Sequence, residues 1–123
     1  MRIAIVGSRG FRELYRVRAF VSELPEGTTV ISGEAPGVDR EAKRAALARG
    51  LPYEGYPADW ETHGLKAGFL RNRVLVEKAE AVVAFWDGSS RGTKHSIDLA
   101  RKAGKKVTVF RQGMTGSSNQ WGR

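Results

Sequence analysis

Three short segments of this sequence place glycine beside serine or threonine, a combination that suits phosphate binding. They are residues 7–10 (GSRG), 32–37 (SGEAPG) and 87–93 (DGSSRGT). Glycine lets the backbone approach a ligand closely, and N–H groups at the start of a helix favour an anion. Arg9 and Arg91 add positive charge and the forked geometry that pairs with phosphate. The segments therefore predict an anionic ligand, with tight turns capped by serine and threonine as the structural alternative.

Two further side chains could contact such a ligand, and each has a structural alternative. Asp39 stands two residues after Gly37 and would hold ligand hydroxyls or stabilise the start of a helix through its dipole. Trp60, in the dipeptide Asp59-Trp60, would stack on a base or pack at the rim of the protein.

Arg71 is the predicted phosphate ligand. It lies about one and a half turns into a predicted helix, within reach of that helix's start. We predict that a bound phosphate lies between the Arg71 guanidinium and the Thr93 backbone N–H. The alternative is that Arg71 pairs with an acidic residue such as Asp59 or Asp87 and fixes the rim of the site.

Several established site types do not match this sequence. Residues 7–10 are not a G-x-G-x-x-G motif, and the second predicted strand is followed by Ser32 rather than an acidic residue for a ribose. Residues 88–94 are too short for a phosphate-binding P-loop. Neither His63 nor His95 belongs to a metal-binding cluster. We therefore predict no metal and no resident cofactor.

Short apolar strands alternate with helices along the chain. The predicted strands are 2–6, 28–31, 52–56, 81–86 and 106–110, and the predicted helices are 11–24, 38–49, 65–79 and 93–103. This alternation predicts an α/β fold, a Rossmann-like or flavodoxin-like three-layer sandwich with a five-stranded parallel sheet. In such folds ligands bind at the carboxyl ends of the strands. The glycine-containing segments all follow strands, so they predict one site.

Length and charge indicate one domain with an anionic partner. A chain of 123 residues suits a single core, and we assign residues 1–111 to it, with a loose Gly/Ser-rich tail at 112–123. The net charge is +8, and residues 91–123 carry eight Lys or Arg against one acidic residue, Asp98. A nucleotide or a nucleic acid would match this charge.

Other features of the composition bear on location and assembly. There is no cysteine, which excludes disulfides and thiol chemistry. No apolar run approaches the ~20 residues that span a membrane, and no signal peptide precedes the first strand. We therefore expect a cytoplasmic protein without a membrane partner. Apolar residues on more than one helix face, including Leu47, Phe69 and Leu70, predict a homodimer or larger homo-oligomer.

Three stretches of the chain resemble the SLOG superfamily, most closely its YspA-like (YpsA-related) branch. They are the first strand into residues 7–9, residues 32–39, and residues 59–93 with Gly68, Arg71 and Asn72. The resemblance covers about residues 2–110. It implies a Rossmann-like fold that binds a nucleotide or nucleotide-derived ligand, with a sensor as one role. The predicted ligand-binding residues are Gly7, Ser8, Arg9, Ser32, Gly33, Glu34, Gly37, Asp39, Trp60, Arg71, Asn72, Asp87, Gly88, Ser89, Gly92 and Thr93.

Two related families imply alternative functions. The LOG phosphoribohydrolases, which remove the base from a nucleoside monophosphate, carry an arginine similar to Arg71 and a Gly-Gly-x-Gly-Thr-x-x-Glu loop. Gly92-Thr93 is similar to its Gly-Thr, whereas the position of its catalytic glutamate is Ser96. An enzyme of this type would have Glu34, Asp39 and Arg71 as its catalytic candidates. The DprA family, which binds single-stranded DNA, has a Ser-Gly-x-Ala-x-Gly-Ile/Val-Asp motif that residues 32–39 match.

Overall fold

The protein forms a six-stranded sheet with helices on both faces. The computed structural model describes the backbone of residues 1–121 and the side chains of residues 1–117. The strands are β1 (Arg2–Gly7), β2 (Thr29–Ser32), β3 (Tyr53–Gly55), β4 (Ala81–Trp86), β5 (Lys106–Arg111) and β6 (Ser118–Trp121). The helices are α1 (Leu14–Ser22), α2 (Val38–Ala48), α3 (Trp60–His63), α4 (Ala67–Lys78) and α5 (Arg91–Lys102), with a 3₁₀ turn at Gly64–Lys66 between α3 and α4.

The predicted α/β fold is confirmed, and its strand order is of the Rossmann type. The order is β3-β2-β1-β4-β5-β6, with β1 to β5 parallel. The chain runs outward from β1 to β3, then returns to place β4 on the other side of β1. The order therefore reverses between β1 and β4, which is where such folds bind ligands.

Two apolar cores lie between the sheet and its helices, one on each face of the sheet. Successive side chains of a strand point to opposite faces, so Ile5 packs beneath α1 and α2 whereas Ala4 packs beneath α4 and α5. Phe85 is fully buried on the α1 side, where its ring stacks on Phe110 with centroids 4.8 Å apart. The buried strands bring the ends of β1 and β4 side by side and hold their following loops together.

The segment before α4 differs from the prediction. A single helix at 65–79 was expected, but the structure has α3, the 3₁₀ turn and then α4. Asp59 begins α3, because its Oδ1 accepts the Thr62 N–H at 3.1 Å. Gly64, with a φ of +58°, ends it. No residue of α3 or of the 3₁₀ turn is buried, so no apolar periodicity marked them in the sequence.

The C-terminal segment also differs from the prediction. Residues 112–123 were expected to be a loose tail, but Ser118–Trp121 pairs antiparallel with β5, with Val109 opposite Ser118. Without this strand β5 would be an edge with unpaired N–H and C=O groups. The prediction is therefore wrong for residues 118–121, and residues 122 and 123 lie outside the described residues. Within residues 1–121, none of the helices has the length and apolar character needed to cross a membrane.

Candidate ligand-binding cleft

A cleft of about 410 Å³ opens at the carboxyl ends of the strands, between the loops that follow β1 and β4. Nine of the predicted ligand-binding residues line it: Gly7, Arg9, Asp39, Trp60, Arg71, Asn72, Asp87, Gly92 and Thr93. The volume lies within the range of small-molecule sites, roughly 300–1,000 Å³. The structure thus brings residues from five separate segments of the chain to one place.

Helix α4 supplies a pair of residues that joins the two sides of this cleft. Arg71 Nη1 donates to the Gly33 carbonyl oxygen at 2.5 Å, and Arg71 Nε donates to Asn72 Oδ1 at 3.1 Å. The buried Asn72 in turn donates from Nδ2 to the Gly92 carbonyl oxygen at 3.2 Å. The loop after β2 and the start of α5 are therefore tied together through α4.

Neither carboxylate considered as a partner for Arg71 has that role. Asp59 caps α3, and Asp87 Oδ1 accepts the N–H groups of Ser89 at 2.9 Å and Ser90 at 2.8 Å. These bonds lower the pKa of Asp87. The Arg71 guanidinium thus faces the cleft with a backbone carbonyl and an amide as its hydrogen-bond partners.

Asp39 is a buried carboxyl group that lines the cleft. Its side chain lies in the first turn of α2, the residue is only 5% exposed, and Oδ2 accepts the Ala35 N–H at 3.2 Å. Burial raises the pKa of Asp39 to about 6, although the Ala35 and Gly33 N–H groups and the Arg71 and Arg9 guanidiniums oppose the shift. A strongly shifted carboxyl group in a cleft is typical of a functional site.

This carboxyl group should make stability depend on pH. With a folded-state pKa of about 6 against a usual 3.8, the native protein binds the Asp39 proton more tightly than the unfolded chain does. As the pH rises from about 4 to about 6, Asp39 therefore reduces stability, by on the order of 3 kcal/mol in total. Asparagine stays neutral, so the free energy of unfolding of Asp39→Asn should rise relative to wild type over this window. Urea denaturation at several pH values measures the difference, and parallel profiles would contradict the shift.

The start of α5 forms the opposite wall of the cleft. Ser90 caps the helix, since its Oγ accepts the Thr93 N–H at 3.4 Å. Thr93 Oγ1 lies 3.2 Å from both Ser90 Oγ and Ser8 Oγ. The Gly92 N–H has no hydrogen-bond partner among residues 1–121. The positive end of α5 thus offers a free backbone donor at Gly92 and a weakly engaged one at Thr93.

Aromatic and aliphatic side chains form the outer part of the cleft. Trp60 is 49% exposed, Phe69 46% and Leu65 93%. Phe69 contacts the ring of His95 edge to face, with centroids 4.7 Å apart, and burial lowers the pKa of that histidine. These exposed rings provide a surface on which a planar group of a ligand can stack.

Some of the predicted residues, including Glu34, do not line the cleft. The Glu34 carboxylate pairs with Lys43 Nζ at 3.0 Å and accepts a hydrogen bond from the Tyr53 hydroxyl at 2.9 Å, and both contacts lower the pKa of Glu34. Of the three catalytic candidates only Asp39 and Arg71 line the cleft. The remaining predicted residues that do not line it are Ser8, Ser32, Gly33, Gly37, Gly88 and Ser89, of which Ser8 and Ser32 are buried beneath the loops.

The cleft also contains residues that were not among the predicted ligand contacts. They are Val6, Gly10, Ala35, Leu65, Gly68, Phe69, Leu75, Ser90 and Ser96. Gly68 and Leu75 share a helix face with Arg71 and Asn72, so helical spacing could have identified them. Leu65 has the same spacing in the helix predicted at 65–79, although it lies in the 3₁₀ turn before α4. No cluster of three metal-binding side chains is present in the described part of the chain.

Sequence comparisons relate this chain to proteins that include a phage protein. Residues 1–63 match the model of the YspA, cpYpsA-related SLOG family. The Gene 61 protein of Mycobacterium phage D29 is 40% identical over 121 residues, which cover 89% of this chain and 95% of the phage protein.

Solved structures with the same fold include two DNA processing proteins A (DprA). The structure from Streptococcus pneumoniae matches with a TM-score of 0.75 and 20% identity, over 88% of this chain and 49% of its own. The structure from Helicobacter pylori, described for its single-stranded DNA binding mode, matches with a TM-score of 0.68 and 21% identity, over 96% and 68%. This chain therefore spans about half the length of the S. pneumoniae protein.

Proposed function

This chain belongs to the YspA, cpYpsA-related SLOG family, and on that premise we propose that it binds a nucleotide or nucleotide-derived molecule in the cleft. The observation that carries the proposal is the meeting of Arg9, Arg71 and the start of α5 with two exposed aromatic rings in one cavity. Arginine side chains and a helix start bind phosphate, and exposed aromatic rings stack on a planar base.

The charges of the cleft favour an anion. The Arg9 guanidinium has no hydrogen bond or ion pair within the described residues. Burial lowers the pKa of Arg71, the charge of Asp39 opposes this shift, and repulsion from the nearby Arg9 adds to it. Arginine nevertheless remains protonated. Asp39 interacts electrostatically with both arginines, but burial disfavours its charged form. A phosphate between the two guanidiniums would relieve this repulsion.

Binding of small nucleotides tests the proposal. The protein is screened by thermal shift and then by calorimetry against nucleoside monophosphates and diphosphates, linear and cyclic ADP-ribose, and the parent nucleosides. We expect at least one phosphorylated compound to stabilise the protein, because ligand at about 100 times its Kd adds roughly 2.7 kcal/mol. An Arg9→Ala variant should respond less, and Arg12→Ala, three residues further along the chain and outside the cleft, serves as its control. No response to any compound would contradict the proposal.

Single-stranded DNA binding is the second candidate, and the H. pylori DprA structure together with the net charge of +8 supports it. Short oligonucleotides are titrated over a range of salt concentrations. Binding to a DNA backbone releases counterions, so the affinity should fall steeply as salt is raised. It should also depend on Lys94 and Arg101 of α5 and on Arg111 of β5, which line a second pocket, rather than on the cleft alone.

We also propose two further properties, a phosphoribohydrolase activity as an alternative function and self-association. Ser96, at the position of the LOG glutamate, lines the cleft. Asp39 is the catalytic candidate whose carboxyl group lines the cleft and could serve a phosphoribohydrolase reaction there. Release of free base from a bound nucleotide would support that alternative.

The exposed side chains of Leu47, Phe69 and Leu70 support the predicted homo-oligomer, since exposed apolar surface favours association.

A further inference from the structure

We propose that Asp39 recognises the sugar hydroxyls of the ligand, so that the cleft selects ribonucleotides over deoxyribonucleotides. This inference rests on the proposed function, because it concerns a nucleotide bound in the same cleft. It assigns a specificity-determining role to one side chain and names the class of sugar that the site accepts.

The first argument is position. Ser32, at the end of β2, donates from Oγ to the backbone carbonyl oxygen of Asp39 at 3.3 Å. This bond places the first turn of α2 directly against the carboxyl end of β2. In dinucleotide-binding Rossmann folds an acidic residue near the end of the second strand binds ribose hydroxyls. Here the strand ends in serine, and α2 delivers a carboxyl group to the same region.

The second argument is the unused acceptor capacity of the carboxylate. A carboxylate has about four acceptor positions, and the N–H groups of Ala35 and Gly33 are the backbone donors that reach Asp39. The neighbouring Arg71 directs its own hydrogen bonds to Gly33 and Asn72. A buried carboxylate that opens into a cleft with free acceptor positions will bind donors from a ligand.

The third argument is the order of the subsites. The start of α5 follows β4, the start of α2 follows β2, and β1 lies between these strands. Strands β2 and β4 are therefore two strand spacings of about 4.8 Å apart, and the starts of α2 and α5, on opposite faces of the sheet, both line the cleft. A phosphate at α5 therefore places the adjoining sugar toward α2, while Trp60 and Phe69 remain for the base. A hydroxyl is a neutral donor, which a buried carboxylate accepts, whereas a second phosphate at Asp39 would be repelled.

Paired nucleotides that differ by one hydroxyl test the inference. The 5′-monophosphates of adenosine, guanosine, cytidine and uridine, and their 2′-deoxy and 3′-deoxy counterparts, are titrated by calorimetry. We expect wild type to bind the ribonucleotide at least tenfold more tightly than one of the deoxy forms, as loss of a charged hydrogen bond requires. In Asp39→Asn this ratio should fall toward one. Glu41→Gln, which alters a carboxylate on the same helix that pairs with Arg18 and Arg44 outside the cleft, should keep the wild-type ratio.

The outcomes separate the inference from the proposed function. Equal binding of ribonucleotides and deoxyribonucleotides by wild type overturns the role of Asp39 and leaves nucleotide binding intact. This measurement uses wild type alone, so it does not depend on whether a variant folds. A preference that persists unchanged in Asp39→Asn also overturns it, because another group then recognises the hydroxyls. Stronger binding of the deoxy forms overturns it in favour of a DNA ligand. If no monophosphate binds, the inference and nucleoside monophosphate binding both fail.

Discussion

Replacing Arg71 with alanine is expected to weaken the binding of a nucleoside monophosphate by roughly 10- to 150-fold, the value of a charged hydrogen bond. The guanidinium lies in the cleft opposite the free N–H of Gly92, and it is already oriented by the Gly33 carbonyl and Asn72. Arg71→Lys should recover only part of the loss, since an ammonium group cannot reproduce the fork. Calorimetric titration of each variant measures the effect.

The matched control for this experiment lies two residues further along α4. Arg73 is exposed and outside the cleft, so Arg73→Ala changes the net charge equally and should leave affinity within a factor of about two. The unphosphorylated nucleoside is titrated in parallel. If Arg71→Ala weakens nucleoside and monophosphate equally, the arginine does not bind the phosphate. A lower Tm of the ligand-free variant would then identify its bond to Gly33 as structural.

Replacing Gly7 with alanine is expected to destabilise the protein by roughly 1–3 kcal/mol. A Cβ at this position, where β1 ends, would stand 2.5 Å from Cβ, Cγ1 and Cγ2 of Val38. Val38 is fully buried in the first turn of α2, and its branched side chain has few other rotamers. The helix start would have to move, and the Tm should fall by roughly 4–12 °C.

Two further variants show whether this contact is the cause. Gly10 lies in the same loop, but a Cβ there would meet only Asp87 Oδ2 at 3.5 Å, an ordinary contact. Gly10→Ala should therefore change the Tm little. The double variant Gly7→Ala with Val38→Gly should be more stable than the sum of the single changes predicts, because glycine lacks the Cβ, Cγ1 and Cγ2 atoms that make the clash. Strict additivity would show that Gly7 is needed for another reason.

Local patterns in the sequence were sufficient for strands β1 to β5, for helices α1, α2, α4 and α5, and for the side of the sheet that carries the cleft. The β-branched runs before Gly7 and Ser32 marked buried strands, and the helical spacing of α2 and α5 marked crossover helices. These features depend on neighbours within about eight residues, so a sequence displays them directly. The parallel orientation of β1 to β5, which the structure confirms, follows from this alternation, because strands that alternate with helices are joined by crossover connections.

The identities of the partners within the cleft were decided by the tertiary structure alone. Glu34 and Asp39 are five residues apart and both carry a carboxyl group, yet one pairs with Lys43 outside the cleft and the other is buried within it. Arg71 donates a hydrogen bond to the Gly33 carbonyl rather than pairing with Asp59 or Asp87. Such contacts join residues that are distant in the chain, and strand order and packing determine them. The same reason explains β6, which forms because β5 would otherwise end the sheet with unpaired backbone groups.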